Sequence, residues 1–136
     1  MIRFHYNYPG FRVKSALKVK NWLHEVAIRE KNKIETLDYI FVDDQEILRL
    51  NNQALQHDFY TDILTFPISY RPIQGEIYIS IDRIKEQAVE YQINLNQELL
   101  RIMVHGLLHL CGYDDQTSSL KRKMTAKEDL YLGGYF

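Results

Sequence analysis

The sequence predicts one α+β domain in which a small sheet of about four strands packs against several helices. Strand-like and helix-like segments are interleaved along the chain without a strict βαβ alternation. The chain has 136 residues, of which 46% are hydrophobic, so it is long enough to bury one core and short for two. We therefore interpret residues 1–136 as a single domain.

Four segments are typical of strands. The first ends at the Pro9-Gly10 turn signal, and Pro67 near the end of the third marks either a sheet edge or a strand end. The fourth alternates cleanly, which places three isoleucines on one buried face: Ile77, Ile79 and Ile81. The predicted strands cover residues 2–8, 39–42, 61–68 and 75–81.

Five segments have the periodicity of helices. Ser15 is a candidate N-cap for the first, whose apolar residues are Val19, Trp22, Leu23 and Val26. The second follows Asp43, which with Glu46 resembles a capping box, and the third follows Asp82 as a candidate cap.

Asn94 and Gln97 predict the start of the fourth helix, which runs over residues 99–111 and stops at Gly112. This helix is apolar nearly all round, so we expect it to be the central buried element. The fifth helix is expected over residues 118–131, on a sparse apolar stripe of Leu120, Met124 and Tyr131.

The charge is unevenly distributed along the chain. Residues 1–33 hold eight basic and two acidic residues, a net charge of +6, whereas the remainder carries −7. This segregation has two interpretations: a footprint for a phosphate backbone, or a solvated amphipathic helix. The single cysteine fits a reducing compartment, and no apolar run approaches the roughly 20 residues of a membrane span. We expect a cytoplasmic protein with no membrane partner.

Two histidines on the fourth helix are the candidate metal ligands. His105 and His109 stand four residues apart, so their rings leave the same face of the helix one turn apart. Buried imidazoles need polar partners, and one zinc ion would satisfy both. Gly106 follows the first histidine and permits close approach of another element. Because an H-E-x-x-H metallopeptidase has its general-base glutamate at that position, the sequence does not support peptide hydrolysis.

Carboxylates follow the glycine that ends this helix. Asp115 is the candidate third ligand, although it could instead cap the last helix. We interpret Asp114 as a turn or outer acceptor, and Cys111 as a packing residue on another face of the helix. Two histidines and a carboxylate form a known catalytic set that leaves one coordination position open.

Three motifs resemble the YbeY family of bacterial metal-dependent endoribonucleases, which is linked to ribosomal RNA maturation. The run HGLLHLCGYD at residues 105–114 is similar to the family signature. TDILTFP at residues 61–67 resembles its T-D-V-L-S-F-P segment, and GEIYIS at residues 75–80 its G-D-I-x-I-S segment. The likeness also includes Leu50-Asn51 and covers residues 40–131 in order. It implies a mixed four-stranded sheet with about five helices, a zincin-like metal-binding helix, one zinc ion in a cleft, and single-stranded RNA as substrate.

The chain departs from the family pattern at two positions. The family's third histidine ligand is replaced by Asp115, whose carboxylate can also ligate zinc. A common family arginine is matched by Leu55, for which His57, Arg49 or Arg71 are candidate substitutes in holding a phosphate.

The resulting hypothesis is a hydrolase acting on ribosomal RNA or its precursor, with the small ribosomal subunit as a further partner. Zinc held by His105, His109 and Asp115 would activate a water or polarise a phosphoryl oxygen. Two alternatives stay open: a zinc hydrolase of another substrate, and a non-catalytic ribosome-assembly factor with a structural metal.

Overall fold

The computed structural model describes residues 1–55 and 61–136, which form nine helices and strands. Leu55 is the last residue of a helix, but its side chain and the whole of His57 lie outside the description. In chain order the elements are β1 Ile2–Tyr6, α1 Ala16–Arg29, β2 Ile34–Val42, α2 Asp44–Leu55, β3 Ile63–Tyr70, β4 Ile73–Ser80, α3 Ile81–Tyr91, α4 Leu95–Leu110 and α5 Ser118–Tyr135.

The four strands form a single mixed sheet in the order β1-β2-β4-β3. Strand β1 runs parallel to β2, and β2 runs parallel to β4, while β3 lies antiparallel to β4 at the edge. Pro67 lies within this edge strand, beside a register shift, which confirms the edge interpretation. The predicted α+β class, with four strands and five helices, is therefore confirmed.

Helix α4 packs against one face of the sheet and is the centre of the core. Leu100, Val104 and Leu107 are fully buried, and the Tyr39 hydroxyl of β2 donates a hydrogen bond of 2.8 Å to the Met103 carbonyl. The other face of the sheet is covered in part by α2, where Ile47 is buried in a smaller apolar cluster. No helix among the described residues is both long and apolar enough to cross a membrane.

Gly106 lets α4 approach the sheet closely, as its position in the sequence predicts. A Cβ atom there would lie 2.9 Å from Ile77 Cδ1 and 3.0 Å from Ile63 Cδ1. Both distances are shorter than ordinary van der Waals contacts, so a side chain here would force Ile77 and Ile63 to shift. The glycine therefore allows α4 to pack closely against β3 and β4 beside His105.

Several predicted boundaries are wrong, each for a local reason. Strand β2 begins at Ile34, five residues earlier than predicted, because polar residues alternate with apolar ones in its first half. Strand β1 ends at Tyr6, before the Pro9-Gly10 turn, and β3 is displaced two residues towards the C-terminus. Ile81 is not a strand residue but the first residue of α3.

One predicted helix cap is wrong, and another has the right position but lacks its hydrogen bond. Ser80, not Asp82, caps α3, since its hydroxyl accepts from the Arg83 N–H. Ser15 does precede α1, but it has a left-handed backbone and makes no side-chain cap hydrogen bond. Asn94 and Gln97, in contrast, form the complete capping box that the sequence predicts for α4.

Candidate metal centre

Helix α4 directs two imidazole rings to the same point. His105 and His109 are both half-buried, and their Nε2 atoms lie 3.0 Å apart. The ring centroids are 4.6 Å apart and the ring planes are nearly perpendicular. This is the arrangement that the four-residue spacing predicts, because one helical turn brings the two side chains together.

The segment after α4 brings Asp115 to the same point. The chain turns at Gly112, whose φ of +103° favours glycine, and Asp115 Oδ2 then lies 3.4 Å from His105 Nε2 and 3.7 Å from His109 Nε2. Asp114 takes the turn role expected of it, since its Oδ1 accepts from the Asp115 N–H at 2.7 Å. Asp115 does not cap α5, because the Thr117 hydroxyl accepts from the Leu120 N–H there.

The three ligand atoms have the spacing that a tetrahedral ion requires. With ligand bonds of about 2.0–2.2 Å and tetrahedral angles, the expected separation between ligand atoms is about 3.3 Å. The separations of 3.0, 3.4 and 3.7 Å bracket that value. The donor set therefore fits zinc with three protein ligands and one open position.

Hydrogen bonds on the far side of each ring support the same conclusion. His109 Nδ1 lies 3.0 Å from the Tyr113 carbonyl oxygen, which can only accept, so this nitrogen carries the proton. His105 Nδ1 lies 2.6 Å from Glu128 Oε2, also an acceptor when ionised. Each Nε2 then presents a lone pair towards the other. Two lone pairs 3.0 Å apart repel each other unless a cation or proton lies between them.

Glu128 of α5 accepts a hydrogen bond from His105 Nδ1, as carboxylates commonly do for histidines that bind a metal through their other ring nitrogen. Its side chain is only 7% exposed, and its second oxygen accepts from Arg101 at 2.8 Å. Burial lowers the pKa of His105, but the hydrogen bond and charge of Glu128, together with Asp115 and Asp62, raise it overall. The sequence reasoning missed both Glu128 and Arg101.

Two clefts adjoin the histidine pair, one lined by His105 and the other by His109. The cleft beside His105 has a volume of about 480 Å³, and its acidic lining residues are Asp62, Glu98 and Glu128. Glu98 is 3% exposed, and burial, followed by the charge of Asp62, raises its pKa to about 7. Arg101 also lines this cleft and pairs with Glu128, so the unpaired negative charge comes from Asp62 and the ionised fraction of Glu98. This side of the centre is therefore less favourable for a polyanion than a cleft without carboxylates.

The cleft beside His109 has different chemistry. It has a volume of about 570 Å³ and contains no carboxylate among its described lining residues. Its wall is the edge strand β3, from Ile63 to Tyr70, and Tyr113 faces it from the other side. The ammonium groups of Lys123 and Lys127 lie 5.8 and 5.7 Å from the centre of the Tyr113 ring.

None of the described candidates for the missing arginine lines either cleft. Arg49 pairs with Glu46 and donates to Gln53 on the opposite face of the sheet. Arg71 donates to the Lys31 carbonyl at 2.8 Å, beyond the end of β3. Cys111 packs against the core rather than facing the histidines, as expected, and burial raises its pKa to about 12.

These features define a class of site: a two-histidine, one-carboxylate centre with an open position, in a groove between a helix and an edge strand. Hydrolytic zinc enzymes use such ligand sets.

Comparison with known proteins gives the family. The family model described as Endoribonuclease YbeY matches residues 10–135, so the chain belongs to the YbeY family. An endoribonuclease YbeY of Cytophaga hutchinsonii is 43% identical over 124 residues, which cover 90% of this chain and 87% of that protein. One of Karelsulcia muelleri is 36% identical over 133 residues, covering 97% and 94%.

A solved structure supports the fold. The solution structure of TM1509 from Thermotoga maritima aligns with a TM-score of 0.71 at 31% sequence identity. The alignment covers 99% of this chain and 89% of that one. The mixed sheet and helices expected from the motifs are therefore shared with a solved protein.

Proposed function

We propose that this protein is a zinc-dependent endoribonuclease that cleaves single-stranded RNA during ribosomal RNA maturation and quality control. His105, His109 and Asp115 would hold one zinc ion. The observation that carries the proposal is the convergence of these three ligand atoms within 4.8 Å of one another, in a chain that matches the endoribonuclease family over nearly its whole length. The small ribosomal subunit as a partner and the cytoplasmic location stay predictions from the sequence.

The protein's own groups prepare the site for phosphodiester hydrolysis. A bound zinc ion supplies Lewis-acid stabilisation of negative charge at a phosphoryl oxygen and lowers the pKa of water. Glu128 and the Tyr113 carbonyl fix the tautomers of His105 and His109, so both Nε2 atoms stay free to ligate. Asp115 would add a negative charge to the ligand set, so water on the ion would be less acidic than with three histidines.

The two clefts give the RNA a direction of approach. On the His105 side, Asp62 and the ionised fraction of Glu98 disfavour the phosphate backbone, whereas the His109 side offers β3 and the rings of Tyr70 and Tyr113. Bases can stack on such rings, and Lys123 places positive charge beside Tyr113, whereas the charge of Lys127 is paired with Glu30. The RNA strand would therefore lie along β3, and its phosphate would reach the ion from the side of His109.

The basic N-terminal third would contribute at longer range. Arg12 lies over the Tyr6 ring at 4.4 Å and Lys18 over the Tyr135 ring at 4.2 Å, so these cations rest on aromatic surfaces. Positive charge on this part of the chain raises the local concentration of a polyanion in a salt-dependent way.

The test is an RNA cleavage assay on metal-quantified protein, with wild type beside Asp115→Ala. We expect chelation to abolish cleavage, added zinc to restore it, and Asp115→Ala to lose it under the same conditions. Cleavage that survives chelation would refute the proposal. Turnover of a simple ester without turnover of RNA would favour a hydrolase of another substrate. Binding of small-subunit particles with no hydrolysis would favour an assembly factor.

A further inference from the structure

We propose that Glu30, at the end of α1, is a positioning residue for the metal centre and acts through Tyr113. The inference rests on the metal site of the proposed function and adds a residue far from it in sequence. Neither the ligand set nor the family motifs include Glu30.

Glu30 is a carboxylate surrounded by donors in the core. Its side chain is 10% exposed, and its Oε1 accepts from the Tyr113 hydroxyl at 2.6 Å. Its Oε2 accepts from the Lys127 ammonium at 3.2 Å and from the Tyr131 hydroxyl. Burial raises the pKa of Glu30, but the hydrogen bonds from Tyr113, Tyr131 and Lys127 outweigh burial and lower it. The carboxylate is therefore ionised and well ordered.

Tyr113 connects this carboxylate to the metal ligands. Its N–H donates to the Leu108 carbonyl at 3.0 Å, and its own carbonyl accepts from His109 Nδ1 at 3.0 Å. The hydroxyl bond to Glu30 is a third point of attachment. Together, the three bonds fix both the backbone and the ring of Tyr113.

The bend before Tyr113 is held by backbone hydrogen bonds but not by side-chain packing. Gly112 has a positive φ, its N–H donates to the His109 carbonyl at 3.0 Å, and no atom of the described residues lies within 4 Å of an added Cβ. A glycine bend has wide conformational freedom. The direction in which the chain leaves it decides where Asp115 lies and whether the Tyr113 carbonyl meets His109. Glu30 restricts that direction by holding the Tyr113 ring.

Tyr131 provides a matched control. Its hydroxyl bonds the same carboxylate, but its backbone carbonyl accepts from Trp22 Nε1 at 2.9 Å and makes no contact with the ligands. Tyr113→Phe and Tyr131→Phe each remove one hydroxyl from Glu30. Only Tyr113→Phe releases the segment that orients His109 and Asp115.

The experiment measures the zinc affinity of purified, folded protein by competition with a chromophoric chelator, and thermal stability of the metal-free protein in parallel. We expect Tyr113→Phe to weaken zinc binding by about three- to tenfold, less than the roughly 10- to 100-fold effect of removing an outer partner itself, because the carbonyl that faces His109 stays in place. Tyr131→Phe should change the affinity by less than about twofold while losing similar stability. Glu30→Gln should weaken binding in the same direction, and in combination with Tyr113→Phe it should add little.

Equal zinc affinity in wild type, Tyr113→Phe and Glu30→Gln would overturn the inference, as would equal losses in Tyr113→Phe and Tyr131→Phe. If Tyr113→Phe does not fold, Glu30→Gln is compared with Tyr131→Phe: weaker zinc binding in Glu30→Gln than in Tyr131→Phe supports the inference, and equal affinity in the two variants overturns it. The inference can also fail independently of the metal site, because wild-type protein that binds no zinc refutes the proposed function itself.

Discussion

Replacing Glu128 with glutamine tests whether a carboxylate that contacts His105, but is not itself a ligand, controls the zinc affinity of the site. The substitution keeps the shape of the side chain but removes the charge that faces His105 Nδ1 at 2.6 Å. A glutamine amide can also present its NH₂ group to that nitrogen, which would favour the wrong tautomer and leave His105 Nε2 protonated. We therefore expect Glu128→Gln to weaken zinc binding.

The structure sets the size of the effect. A short hydrogen bond to a charged group contributes about 1.5–3 kcal/mol, and about 1.4 kcal/mol corresponds to a tenfold change in affinity. Because Glu128 is 7% exposed, solvent cannot replace the lost charge. We expect a zinc Kd about 10- to 100-fold higher, measured by chelator competition at neutral pH.

Asp129→Asn is the matched control. Asp129 also pairs with Arg101, at 2.6 Å, but it is 61% exposed and is not a partner of His105. It should leave the zinc Kd within about twofold of wild type, as expected for an exposed ion pair. If both variants bind zinc as wild type does, the carboxylate does not orient His105 and the reasoning is wrong.

Three further predictions concern stability and reactivity. Burial and the charge of Asp62 raise the pKa of Glu98 from 4.5 to about 7. The native state therefore loses stability as pH rises through that interval. Glu98→Gln should raise Tm more at about pH 8 than at about pH 5. Gly75→Ala should lower the free energy of unfolding by about 1–3 kcal/mol in chemical denaturation, because the added Cβ would lie 2.9 Å from the Phe66 carbonyl oxygen. An unchanged denaturation midpoint would contradict the close pairing of β3 and β4. Cys111, whose pKa burial raises to about 12, should react with iodoacetamide at about pH 8 at least about 100-fold more slowly in the folded than in the unfolded protein.

The part of the site that the sequence predicts is the part set by local geometry. His105 and His109 share one helix, so their spacing alone places them together, and Gly112 marks where the helix ends. Asp115 follows His109 by six residues, so the short connection restricts Asp115 to positions close to the histidines. The resemblance of three motifs to the family implied the mixed sheet, and Pro67 indicated an edge or an end of the third strand because proline cannot donate a ladder hydrogen bond.

The partners that hold these ligands depend on packing between distant elements. Glu128 lies 23 residues from His105, on a helix with a sparse apolar stripe, where a glutamate is normally taken as a surface residue. Glu30 entered the sequence reasoning only as a charge in a basic segment, yet it lies 83 residues from the tyrosine it holds. Nothing in their local sequence distinguishes them from solvated carboxylates.

The central claim is that one divalent ion is held by His105, His109 and Asp115. Equilibrium dialysis against zinc, followed by metal analysis, tests it most directly on wild type and on the His105→Ala/His109→Ala variant. We predict one zinc per chain in the wild type and none in the variant, with both proteins folded. Folded wild type without zinc, or a variant that retains the full amount, would contradict the account.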